Sequence, residues 1–169
     1  LFGGLDLTFD FYRQRNKNIW VSGSGAYSAV VQLPVPYVNK GETKSGGVEL
    51  SLDYNKKFGD VGLHLGGNIS YTHDEIVEQA EEVRAYPNLV TTGDRIKSTR
   101  GLIAEGLFQS QAEIDAAPTQ TFQTLVVPGD IRYRDVNGDG TIDANDKVSF
   151  GYSTTLTEVF YNFHVGADF

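Results

Sequence analysis

The sequence predicts an all-β fold of antiparallel strands, on three observations. Four segments alternate apolar and polar residues with the period of two that a half-buried strand requires. Nineteen glycines, nine tyrosines and ten phenylalanines, with no methionine or cysteine, describe tight turns and aromatic strand positions rather than helices. No run of about 18 apolar residues occurs, which excludes a transmembrane helix, whereas a membrane-crossing strand needs only about 9–11 residues with every second one apolar.

The first strand covers residues 5–12, with Leu5, Leu7, Phe9 and Phe11 on one face and Asp6, Thr8, Asp10 and Tyr12 on the other. The second, 48–54, sets Val48, Leu50, Leu52 and Tyr54 against Glu49, Ser51 and Asp53. In the third, 61–72, Val61, Leu63, Leu65, Ile69 and Tyr71 oppose Gly62, His64, Gly66, Asn68 and Ser70. The last, 159–169, sets Val159, Tyr161, Phe163, Val165, Ala167 and Phe169 against Phe160, Asn162, His164, Gly166 and Asp168. The polar stretch 55–60, NKKFGD, joins the second strand to the third as an antiparallel hairpin. The other connections, 20–44 and 76–156, are long. Short turns at one end and long loops at the other are the asymmetry of an outer-membrane barrel with periplasmic turns and extracellular loops. Within the longer loop, Ser110 and Glu113 have capping-box spacing before Ile114, and Pro118 stops that turn. Residues 74–84 carry Ile76, Val77, Ala80 and Val83 at near-helical spacing, although the segment directly follows a strand.

Charge and composition narrow the function. A net charge of −8 offers no Lys/Arg stripe for phosphates and argues against nucleic acid. The absence of cysteine excludes disulfides, thiolate chemistry and Cys-ligated zinc or iron–sulfur sites. No Ser/His/Asp or paired-acid arrangement can be assigned from spacing, so no enzyme is expected. The chain opens directly in a strand pattern without a signal peptide, and Phe169 reads as a truncation rather than a terminus.

The most specific motif is DVNGDGTIDAND, residues 135–146. Asp135, Asn137 and Asp139 occupy positions 1, 3 and 5 of an EF-hand-type loop, with Gly140 at the sharp turn. Thr141 offers a carbonyl at position 7, Asp143 stands at 9, and Asp146 stands at 12 in place of the usual Glu. Calcium takes six to eight oxygens, so this pattern predicts a calcium loop, weakened by the shorter side chain of Asp146. Ile142 would anchor it to its neighbours. The same composition also suits a solvated turn held by Asx hydrogen bonds without metal.

Other features have plainer readings. His64 and His164 fall on polar strand faces, and His73 stands alone at a loop edge. Trp20 reads as an interface girdle residue, and Tyr27 and Tyr37 suit either a girdle or stacking on sugar rings. Gly23 and Gly25 lack the following helix of a phosphate loop. Asn68-Ile69-Ser70 spells a glycosylation acceptor inside a strand, which is coincidental.

The runs YVNKGETKSGGVELSLDY, HLGGNISYTHDEIVE, GLFQSQAEIDAAP and PGDIRYRDVNGDGTIDANDKVSFGYS together resemble the SusC/RagA-type TonB-linked outer-membrane proteins of Bacteroidetes, the TonB-dependent receptor family. The resemblance extends from Leu5 to the end and is most specific at Gly129-Asp130-Ile131 and at Gly47-Val48-Glu49-Leu50. The chain departs from the family at Lys44-Ser45-Gly46, where members commonly carry Asn-Arg-Gly or Asn-Lys-Gly. The resemblance implies part of a large plugged outer-membrane β-barrel of roughly 22 strands. It implies import of oligosaccharides or peptides, energised by TonB through a plug that this chain does not contain, with a SusD-like lipoprotein as lid. Residues 1–169 would then be an internal wall segment of about four strands, contacting outer-membrane lipid and pairing at both edges with the rest of the barrel. The rival expectation is a soluble secreted β-domain that binds carbohydrate or a protein through its calcium loop. The two differ in whether the apolar rows face lipid or a packed core.

Overall fold

The computed structural model describes residues 4–23 and 35–169. Three long strands come first: β1 (Leu5–Ser22), β2 (Tyr37–Phe58) and β3 (Val61–Glu78). Six short strands follow: β4 (Arg100–Gly101), β5 (Ala104–Leu107), β6 (Thr119–Gln120), β7 (Ile131–Tyr133), β8 (Thr141–Ile142) and β9 (Val148–Ser149). A one-turn-plus helix, α1 (Gln111–Ala116), lies between β5 and β6, and β10 (Val159–Asp168) ends the series. The long strands and β10 form one antiparallel sheet in the order β1-β2-β3-β10. The short strands pair as β4–β9, β5–β7 and, in parallel, β6–β8. The fold is all-β, as the alternation predicts.

The strands run further than alternation marks. β1 continues ten residues past Tyr12, β2 starts eleven before Val48, and β3 passes Thr72 to Glu78. Both faces are polar there (RQRNKN on β1, VNKGETKSG on β2), so no apolar stripe announces a strand, yet the backbone ladder continues unbroken to the first bulge. Register shifts between Asn16 and Ile19, between Ile19 and Trp20, and between Glu42 and Thr43 re-aim the upper strands. The expected loop 20–44 contracts accordingly: Gly23 N–H donates to the Pro36 carbonyl at 2.9 Å and closes the hairpin. Gly25 and Tyr27 lie outside the described residues. The near-helical spacing in 74–84 does not make a helix, because β3 pairs with β2 through Glu78. The tight turn between β2 and β3 is Gly59-Asp60, with Gly59 at φ +65° as such hairpins require.

Helix α1 is where the capping signal places it. Ser110 Oγ accepts from Glu113 N–H at 3.3 Å, while the Glu113 carboxylate reaches back one residue further than a standard capping box, to Gln109 N–H at 2.9 Å. The helix stops at Ala116, and Ala117 is extended, as the residue before Pro118 must be.

Among the described residues only two apolar side chains are buried, Phe108 and Ile142. Both lie in the excursion between β3 and β10, which has its own small centre. Among the described residues the four-stranded sheet has no apolar core on either face.

Candidate functional site

Strict register gives the sheet two chemically distinct faces. On one, straight rows run across all four strands: Leu5–Tyr54–Leu65–Val165, Leu7–Leu52–Gly67–Phe163, Phe9–Leu50–Ile69–Tyr161 and Phe11–Val48–Tyr71–Val159. Phe58, Val61 and Leu63 continue this face toward the Gly59-Asp60 turn. The rows are open: Phe9, Phe11, Phe163 and Val165 are 64%, 71%, 77% and 71% exposed. Above them the face turns charged, with Arg13–Gly46–His73 and then Arg15–Lys44–Glu75. Below, Lys56 lies over the Phe58 ring at 5.3 Å.

The opposite face is polar. Its rows are Asp6–Asp53–Gly66–His164, Thr8–Ser51–Asn68–Asn162, Asp10–Glu49–Ser70–Phe160 and Tyr12–Gly47–Thr72. Two of its glycines are required by what lies over them. Tyr12 crosses Gly47 to place its hydroxyl 2.6 Å from Thr72 Oγ1, and a Cβ at Gly47 would come 2.8 Å from that ring. A Cβ at Gly66 would strike the His164–Asp53 pair, whose Nε2 and Oδ1 are 3.2 Å apart. His64 bridges Asn55 Oδ1 (2.6 Å, from Nδ1) and Asp168 Oδ2 (2.7 Å, from Nε2). Both histidines therefore serve as cross-strand ties on the polar face.

Residues 79–158 leave and re-enter the sheet through a pinned neck. Arg95, 4% exposed, sets Nη2 2.7 Å from Asp74 Oδ2 on β3 and Nη1 2.7 Å from Glu158 Oε1 beside β10. The second contact lacks hydrogen-bond alignment, and Nε has no acceptor among the described residues, so the guanidinium acts there mainly as a charge. Asp74 Oδ1 also accepts from Ile96 N–H at 2.6 Å. A second carboxylate ties the first turn of the excursion: Glu81 accepts from the N–H and hydroxyl groups of both Thr91 and Thr92 at 2.7–3.1 Å. Burial pushes the Glu81 carboxyl up, but these four donors outweigh it and hold its pKa at about 2, against an ordinary 4.5. Neither tie was legible in the sequence, because each joins residues ten or more positions apart with no motif between them.

The acidic loop is closed by its own backbone. Asp135 accepts from Gly138 N–H (2.6 Å) and Gly140 N–H (2.8 Å), and Asp139 accepts from Thr141 N–H (2.9 Å). Asn137 Oδ1 accepts from Asp139 N–H, and Asp143 caps Asn145 N–H at 2.6 Å. Asp146 is fully buried and accepts from Val136 N–H and Asp143 N–H, both at 2.8 Å, so one carboxylate fastens the loop's start to its end. Ile142 is fully buried, as position 8 of such a loop requires, and β8 carries it against β6, where Thr121 N–H donates to its carbonyl. As the side chains stand, no group of three or more His, Cys, Asp or Glu among the described residues is placed to share a metal ion.

Trp20 stands high on β1, away from the apolar rows. It lies nine residues beyond Phe11 on β1, roughly 25–30 Å along the strand from the last apolar row. It stacks there on Tyr37, centroids 6.4 Å apart at 22°.

No family model matches the sequence, and no curated protein matches it. Solved structures do. A chain of the RagAB peptide transporter superposes with a TM-score of 0.66 at 17% identity, over 98% of this chain and 17% of that one. Chains of the RagAB peptide importer in its open-open and closed-closed states give 0.65 and 0.61, at 16% and 17% identity, each over 96% of this chain and 17% of theirs. The likeness establishes the fold: four long antiparallel strands with a large excursion before the last, shared with one portion of much longer chains. This chain spans about a sixth of those lengths.

Proposed function

We propose that the chain is a wall segment of a TonB-dependent outer-membrane importer, its apolar rows turned to lipid and its polar rows lining the lumen. The observation that carries this reading is the exposed apolar band. A soluble domain would seal these rows against a second layer, and among the described residues nothing covers them. The band also has the right height. From Val61 to Tyr71 is eleven residues, roughly 33 Å along the strand, and a barrel tilt of about 40° projects that to about 25 Å, the apolar band of outer-membrane barrels. No helix of the described residues is long and apolar enough to cross a membrane. Among the described residues the outer edges of β1 and β10 have no partner strand, and the remainder of a closed barrel would satisfy them.

In this arrangement the Gly59-Asp60 turn faces the periplasm and the pinned excursion 79–158 faces outward, where it would present a fixed surface to a SusD-like lipoprotein and to incoming peptide or oligosaccharide. The structural neighbours favour peptide as cargo. The test is fractionation of the full-length protein: recovery from outer membranes only with detergent supports the reading, and recovery in the soluble fraction without detergent would overturn it.

Calcium at the acidic loop is proposed separately. Asp135, Asn137, Asp139, Thr141 and Asp143 carry oxygens suited to the ion, but several must turn from loop N–H groups toward a common centre, and Asp146 must release its buried donors. Calorimetric titration with calcium chloride decides. A saturable signal lost in Asp139→Ala supports the ion, and no heat at millimolar calcium leaves the loop to its hydrogen bonds alone.

A further inference from the structure

The outer face changes character abruptly above the row Phe11–Val48–Tyr71–Val159, and at that boundary there is a cavity of about 220 Å³. Phe11 forms its lower lip, Arg13 and His73 its sides, and Lys44 and Glu75 its upper lip. Its floor is Gly46, between Arg13 and His73 in register, where a Cβ would come 3.2 Å from the Tyr12 carbonyl oxygen. Lys44 is held by Glu75 at 2.8 Å, and His73 Nδ1 stands 3.3 Å from Glu158. Arg13, by contrast, has no carboxylate within ion-pair distance among the described residues, and it is exposed. That is unusual in a chain carrying eight more acids than bases.

From this we infer a specific seat for the anionic headgroup of a membrane lipid. The inference rests on the wall-segment reading, which brings the boundary row to the level where acyl chains end and headgroups begin. Each part then has a role. Phe11 and Tyr71 meet the acyl chain, Gly46 leaves room for the head, Arg13 supplies a forked donor set to a phosphate, and Lys44 reaches over from above. A free phosphate would find the same cation but nothing to hold its other side, whereas a phospholipid gains the apolar band below. The site therefore belongs to the lipid.

The test uses the full-length transporter in nanodiscs of phosphatidylcholine with a minority of phosphatidic acid, and counts lipids retained after gentle detergent release by native mass spectrometry. Wild type retains phosphatidic acid over phosphatidylcholine, and Arg13→Gln lowers that preference about five-fold. Gly46→Val fills the seat and lowers it similarly, while Glu75→Gln frees Lys44 and raises it. Equal retention of the two lipids by inserted wild type, or a preference unchanged in Arg13→Gln, would overturn the headgroup seat while leaving the wall segment intact. Complete displacement by millimolar inorganic phosphate would assign the site to a free anion instead. Protein that does not insert at all would overturn both readings.

Discussion

Placing an arginine at Leu52 separates the lipid-facing reading from every soluble one. Leu52 lies on the second strand of the sheet, in the row with Leu7, Gly67 and Phe163, next to the middle of the band running from Val61 to Tyr71. Its side chain is already 43% exposed, so in water Leu52→Arg would change stability by no more than about 0.5 kcal/mol. In a bilayer the guanidinium must enter the hydrocarbon midplane of an outer-membrane-type barrel, at about 2–4 kcal/mol, which is roughly a 30- to 1,000-fold loss in the folded, inserted population. Ser51→Arg, one residue away on the polar face, supplies the control and should be near neutral. Phe58→Arg, beside the Gly59-Asp60 turn at the end of the apolar band, should cost only about 0–1 kcal/mol. The assay is denaturant unfolding of the full-length protein in lipid vesicles, read by the gel shift between folded and unfolded barrel. A Leu52→Arg cost equal to that of Ser51→Arg would refute the assignment of the apolar rows to lipid, whatever the sequence resembles.

The excursion yields three further expectations. Arg95→Met leaves Asp74 and Glu158 without their shared cation, at a cost on the order of 3–5 kcal/mol to the neck, visible as faster amide exchange at Ile96 and Thr72; unchanged exchange would mean the triad is decorative. The Glu81 tie is pH-dependent. Because its folded pKa is lowered from 4.5 to about 2, its contribution is complete above pH 4.5 and is lost as pH falls toward 2. Proteolysis of segment 79–92 should therefore accelerate between those values in wild type but not in Glu81→Gln, where equal acid sensitivity would refute the assignment. Asp146→Asn turns an amide donor toward backbone donors and should loosen the acidic loop by about 1–3 kcal/mol with or without calcium; a loss seen only with calcium present would make Asp146 a metal ligand instead.

Leu5 to Phe11, Val48 to Tyr54, Val61 to Tyr71 and Val159 to Val165 show by themselves that strands exist and which side of each is greasy, because the period of two is a property of the backbone. Ser110 and Glu113 likewise announce α1, and Ile142 its burial, because both signals are local. The sequence does not show that Tyr37 to Gly47 is strand, since two polar faces leave no contrast while the ladder bonds that hold it come from β1 and β3. Nor does it reveal Arg95 between Asp74 and Glu158, or Thr91 and Thr92 around Glu81, because those partners meet only once the excursion has folded back. Register, too, belongs to the tertiary structure: one residue of slip would scatter Arg13, Gly46 and His73 to opposite faces. Local chemistry thus wrote the elements and the acidic motif. Long-range pairing decided which charges meet, which glycines open a space, and that the apolar rows align into one continuous uncovered band.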